Sequence, residues 1–167
     1  MSKLTGLALS IAILGGVWAF LALGPLAGYV LVWAGFIAWG CYFALGADTA
    51  ALQKTIVGMI YGAVIAGVAL ALVGANPLGL AGALGPAIYI AVTVFLLVIV
   101  ANIPLLSAVP ANVYGYAATA AYALQTANAG SVTAMDLTNP VLLVALSTIL
   151  GAIFGMLSGK LAGILGK

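Results

Sequence analysis

Apolar residues run almost without interruption along this chain, and the few polar ones fall in clusters that punctuate it. A helix needs about 20 apolar residues to cross a bilayer. Six stretches meet that length: 4–23, 26–45, 55–73, 82–101, 104–124 and 140–159. They are continuously apolar and do not alternate, which argues against a membrane β-barrel. The breaks carry turn signals. Gly24-Pro25 closes the first stretch, and Gly46-Ala47-Asp48-Thr49 follows the second. Asn76-Pro77 and glycines 79, 82 and 85 precede the fourth, whose start near Pro86 is placed only to within several residues. Asn102-Ile103-Pro104 leads into the fifth. The longest polar stretch, Gln125 to Asn139, holds Asn128, Ser131, Thr133 and Asp136. Asn139-Pro140 reads as an N-cap followed by a first-turn proline. The expected architecture is all-α: a polytopic membrane bundle of six transmembrane helices, with residues 1–167 as a single transmembrane domain.

Composition narrows the chemistry. The chain is 66% hydrophobic and 4% charged, against roughly 25% charged in soluble domains. Four lysines without arginine cannot build a nucleic-acid patch, and the apolar excess excludes disorder. Glu, Arg and His are absent, and the charged residues are Lys3, Asp48, Lys54, Asp136, Lys160 and Lys167. Acid–base and metal catalysis lack their usual side chains, so no enzyme, catalytic residue, metal or cofactor is expected. Cys41 is alone inside the second stretch and reads as a small apolar side chain. Lys3 followed by an apolar run resembles a secretory leader. A retained span is expected, because the run exceeds a leader's apolar core and the chain starts at Met1.

Charge also suggests orientation. Six spans put both termini on one side, together with all four lysines, and leave Asp136 on the other. The positive-inside rule makes that shared side cytoplasmic. Two three-span halves would then have opposite topology, as in inverted-repeat transporters. The pattern admits such a repeat. Gly58-Met59-Ile60-Tyr61-Gly62 and Gly151-Ala152-Ile153-Phe154-Gly155 share Gly-x-Ile-aromatic-Gly. At a shift of 80, Gly35, Ala38 and Tyr42 match Gly115, Ala118 and Tyr122. The different offsets of the two matches require loop insertions, and coincidence in so biased a composition stands as the alternative.

Glycines spaced four apart let helices approach closely in lipid. Gly58, Gly62, Gly151, Gly155 and Gly159 are therefore expected to pack helices, within the bundle or across a subunit interface of a homo-oligomer. The fifth stretch is the least ordinary. It holds Ser107, Pro110, Asn112, Tyr114, Tyr116 and Thr119. A proline there either kinks a span, opening a half-helix whose positive end faces mid-membrane, or starts a helix. Trp33, Trp39 and Tyr42 of the second stretch offer aromatic walls, or plain core packing. A substrate pathway would draw on both sets, with Asn112 and Trp33 or Trp39 facing a shared polar cavity. No ionisable residue is expected at mid-membrane, which favours passage of an uncharged solute.

The runs Leu14-Gly15-Gly16-Val17-Trp18, Trp33-Ala34-Gly35-Phe36, Tyr42-Phe43-Ala44 and Val109-Pro110 resemble bacterial inner-membrane proteins catalogued as domain of unknown function 1097. The resemblance spans nearly the whole chain. It implies a small multi-span protein of the bacterial inner (plasma) membrane and supplies no substrate. Asn76-Pro77-Leu78-Gly79-Leu80 is similar to a signature of acetate-uptake channels, with one proline missing and the run displaced from the first span. The expected function is a channel or facilitative transporter for a small neutral polar solute such as urea or an amide. The alternatives are a small-anion channel and a non-transporting membrane assembly subunit. Membrane lipid, the solute and further copies of the chain are the expected partners, with no nucleic acid.

Overall fold

The computed structural model describes residues 1–166, apart from the side chains at 129 and 130. Lys167, the last of the four lysines, lies outside the described residues. Six α-helices carry the fold: α1 (Lys3–Leu23), α2 (Val32–Ala44), α3 (Thr49–Ala75), α4 (Leu84–Ile99), α5 (Val109–Gln125) and α6 (Pro140–Leu165). Short 3-10 turns occupy Val100–Asn102, Pro104–Leu106 and Ala129–Thr133. No strand occurs among the described residues.

Side-chain caps set several boundaries. The Ser2 hydroxyl accepts from the Thr5 amide at 3.1 Å, Asp48 Oδ1 from Ala51 at 2.7 Å, and Asn139 Oδ1 from Val141 at 2.8 Å. Each satisfies an amide that the first helical turn leaves without an intrahelical acceptor. Asn76 ends α3 in the left-handed conformation, with φ 41°. Its Oδ1 accepts from the Tyr89 hydroxyl at 3.0 Å and from the Leu80 amide at 3.2 Å, tying the α3–α4 turn to α4.

The helices are not six equal rods. By length and composition four can cross a membrane: α1, α3, α4 with its 3-10 extension to Asn102, and α6. The expected spans 26–45 and 104–124 are cut back to α2 and α5, which have 13 and 17 residues. At 1.5 Å per residue these reach about 20 and 26 Å, against a hydrocarbon core of about 30 Å. The reason is local in both cases. Gly28 takes φ +83° and Leu31 is extended, so α2 starts only at Val32. The Leu31 amide donates to Ser147 Oγ on α6 at 2.8 Å instead of entering a helix. Before α5, Ile103 is extended ahead of Pro104, as a residue preceding proline prefers. Pro110 then occupies the first turn of α5, where its missing N–H leaves no helical bond unmade. Pro110 is a helix start, and the kinked-span alternative is set aside.

Helices consecutive in the chain alternate in direction, whereas those that pack most closely need not. α1 and α6 run antiparallel: Gly6 lies against Gly166, and the Trp18 and Phe154 rings are 5.5 Å apart. α2 and α6 run parallel, as Leu31 meets Ser147, Gly35 meets Gly151 and Trp39 meets Gly155. α3 and α5 also run parallel, with Gly58 near Ala111 and Gly62 between Asn112 and Tyr116. The Tyr61 hydroxyl donates to the Leu96 carbonyl at 2.9 Å, joining α3 to an antiparallel α4. The most extensive contacts pair α3 with α5 and α2 with α6. Both termini therefore lie at one end of the bundle.

Candidate functional site

Two glycine-lined seams hold the centre of the molecule. On the α3–α5 seam, a Cβ added to Gly62 would fall on the Asn112 carbonyl oxygen, and one added to Gly115 on the Met59 carbonyl. A Cβ on Gly58 would lie 2.7 Å from Asn112 Oδ1. On the α2–α6 seam, a Cβ on Gly151 would fall on the backbone of Gly35. At Gly155 it would come within 3.1 Å of the Trp39 ring, and at Gly159 nothing is closer than 3.9 Å. In lipid, association rests on van der Waals packing, so such backbone approach is a main source of cohesion. Gly35 is held from its other side too. Its Cβ would overlap the Trp18 ring, whose Nε1 donates to the Val32 carbonyl at 2.9 Å.

The polar residues expected to line a path fall into separate places. Asn112 is fully buried, and its Nδ2 donates to the Leu106 carbonyl at 3.0 Å and the Leu97 carbonyl at 3.2 Å. It thus stitches the irregular α4–α5 connection onto α5. Ser107 donates to Pro104 within that connection. Tyr116 shares a 3.1 Å hydrogen bond with Thr93 on α4. Thr119 is buried against the bundle. Trp39 is buried too, stacked on Phe36 at 5.6 Å and 6.1 Å from Phe154. Tyr42 donates to the Ala47 carbonyl at 2.5 Å, closing the α2–α3 turn. Trp33 and Tyr114 do meet, across a groove of about 610 Å³ between α2 and α5 whose other walls include Phe36, Ile37 and Cys41. That groove is apolar, and none of the four main cavities reaches Asn112 or Trp39. The shared polar cavity expected of Asn112 with Trp33 or Trp39 is therefore absent from these cavities, because α3 packs through Gly58 and Gly62 directly onto that part of α5. The same contact covers Ala111 and Asn112 in the first turn of α5, while Pro110 stays exposed.

Among the described residues, four buried side-chain polar atoms find no partner: Trp39 Nε1, Asn112 Oδ1, Thr119 Oγ1 and Thr148 Oγ1. Three belong to the residues expected along a pathway. Trp39 and Thr119 are also equivalent positions in the 80-residue register. A lone buried acceptor or donor costs about 1–3 kcal/mol, so these four mark the least settled part of the interior. Trp18 and Ser147, which set the α2 seam, were not singled out as site residues. Their only sequence signal is that each is polar-tipped within an apolar run.

Outside the helices, Asp136 accepts from the Thr138 hydroxyl at 2.5 Å and the Thr138 amide at 2.9 Å. These two bonds, the hydroxyl first, hold its carboxyl below the ordinary carboxylate value. Among the described residues no group of His, Cys, Asp and Glu could hold a metal.

A family model described as protein of unknown function (DUF1097) matches residues 8–163. No curated protein and no solved structure matches the chain. The likeness of the Asn76–Leu80 run to acetate-uptake channels gains no support, and Asn76 serves there as the α3 cap and turn. The match extends over nearly all of a chain built of apolar helices, four of them long enough to cross a membrane: this chain belongs to the DUF1097 family, whose function is unknown.

Proposed function

We propose that the protein is a facilitator for a small neutral polar solute, urea or an amide being the type, in the bacterial inner membrane. In this proposal all six helices cross, the short α2 and α5 being completed by their non-helical entry segments, and both termini are cytoplasmic. The observation that carries it is the correspondence of helix contacts between α1–α3 and α4–α6, which we read as two inverted halves. The α3–α5 seam has its counterpart in the α6–α2 seam. Each uses a four-spaced glycine pair, Gly58/Gly62 or Gly151/Gly155, against one glycine, Gly115 or Gly35. The contact of α1 with α6 likewise answers that of α4 with α3, and α3 and α6 meet each other at the centre. The paired elements also match in length, 27 residues for α3 and 26 for α6. The paired helices α2 and α5 both follow an irregular segment. Inverted repeats with interrupted helices are the architecture of many solute carriers, where the repeat interface holds the substrate.

In this proposal the unpartnered atoms of Trp39, Asn112, Thr119 and Thr148 would meet a solute that both donates and accepts hydrogen bonds only when the seams part. Among the described residues no charged group lies against Gly58, Gly62, Gly115, Gly35 or Gly151, which supports a neutral one. The sealed state of Asn112 favours a second reading, a non-transporting assembly subunit. Proteoliposome swelling separates them. Urea, acetamide and glycerol should enter faster than into protein-free vesicles, and chloride should not. Equal rates for every solute would leave the assembly subunit.

A further inference from the structure

At the end of the bundle where both termini lie, the start of α1, the α2–α3 turn and the end of α6 enclose a cavity of about 680 Å³. Lys3 and Lys160 line it, and so does Asp48. Its walls are otherwise mostly apolar, with Leu7, Phe43 and Met156 among them. Asp48 Oδ1 is engaged by the Ala51 amide at 2.7 Å, which holds that carboxylate on the α3 cap. Two ammonium groups and an apolar wall thus share one opening, at the end of the bundle where α1 begins and α6 stops. We propose that this cavity binds an anionic phospholipid, its phosphate between Lys3 and Lys160 and part of an acyl chain against Phe43 and Met156. The volume suits an amphiphile of many heavy atoms better than an inorganic anion. Basic pockets between helices on the cytoplasmic side are known recognition sites for anionic headgroups. The site rests on the proposed orientation, with both termini cytoplasmic, and stands whether or not the protein conducts a solute.

The test is native mass spectrometry of the full chain after exchange into nanodiscs of equal phosphatidylglycerol and phosphatidylcholine. The wild type should retain phosphatidylglycerol selectively. Lys160→Gln and Lys3→Gln should each weaken retention about fivefold, and the double variant more. Lys54→Gln should not, since Lys54 lies near the same end but does not line the cavity. Gly163→Phe offers a route independent of charge. Gly163 lines the cavity, and a Cβ there meets nothing within 4 Å, so the ring enters the cavity without straining α6. It should abolish selective retention while leaving the melting temperature unchanged. Equal loss with Lys54→Gln would reduce the effect to general surface charge and overturn the site. So would unchanged retention in the double variant or in Gly163→Phe. Displacement of the lipid by millimolar inorganic phosphate would overturn the lipid as ligand in favour of the free anion.

Discussion

Replacing Gly151 by alanine adds one methyl group at the point where α6 rests on α2. Two effects oppose each other. Alanine in a helix gains about 0.5–1 kcal/mol over glycine. Against this, the new Cβ would fall on the carbonyl oxygen, Cα and carbonyl carbon of Gly35. Those are backbone atoms, fixed on their far side by the Trp18 ring, so no side chain can swing away. Overpacking of a closed core costs about 1–3 kcal/mol, and an immobile obstacle puts this site at the upper end. The net loss is about 2 kcal/mol, which for a chain of this size lowers the melting temperature by roughly 4–8 °C. Heating in mild detergent followed by size-exclusion chromatography measures it. Gly40→Ala and Gly163→Ala are the controls, since a Cβ at either meets nothing within 4 Å. They should melt at or above the wild type. Gly155→Ala should fall between, because its neighbours at 3.1–3.3 Å include the Trp39 and Tyr42 rings. If Gly151→Ala melts with the two controls, the seam does not carry the cohesion assigned to it.

Asn112→Leu should lose two hydrogen bonds and strand the Leu97 and Leu106 carbonyls, at a cost of about 1–3 kcal/mol. A melting temperature equal to wild type would show that Asn112 is not a structural tie. In a Cys41→Ala background, cysteines at 160 and 136 should react with impermeant maleimide from opposite sides of the membrane. Reaction of both from the same side would refute the crossing of α6, and with it the six-span reading. Asp136 should stay ionised to a lower pH than an ordinary carboxylate, because its charged form accepts both Thr138 bonds. A depressed folded-state value means that this local contribution is intact at neutral pH and is lost only as pH falls through that value. Thr138→Ala should move the titration upward, readable by carbon NMR of the carboxyl, and an unchanged midpoint would discount the turn.

The sequence by itself determined the class of molecule. An interior of lipid tolerates only segments that satisfy their own backbone bonds, and continuous apolar stretches of the required length leave helices as the answer. The cap at Asn139 and the turn at Asn76 were legible because short-range hydrogen bonds need only neighbours in the chain, whereas Asp48 read only as a loop residue. The close-packing role of the glycines was visible as spacing. Their partners were not, because which helices meet depends on contacts between residues about 50 to 116 positions apart. Tertiary structure alone decided that α2 starts at Val32: nothing near Leu31 announces that its amide will bond Ser147 across the bundle. It also decided the fate of Asn112. A polar residue after a proline does not announce its partners, and only the tertiary structure brings the Leu97 and Leu106 carbonyls within reach of its Nδ2. Lys3, Asp48 and Lys160 meet around one cavity for a similar reason. Their sequence separation carries no trace of the antiparallel return of α6 to the start of α1, which the packing of Gly6 on Gly166 brings about.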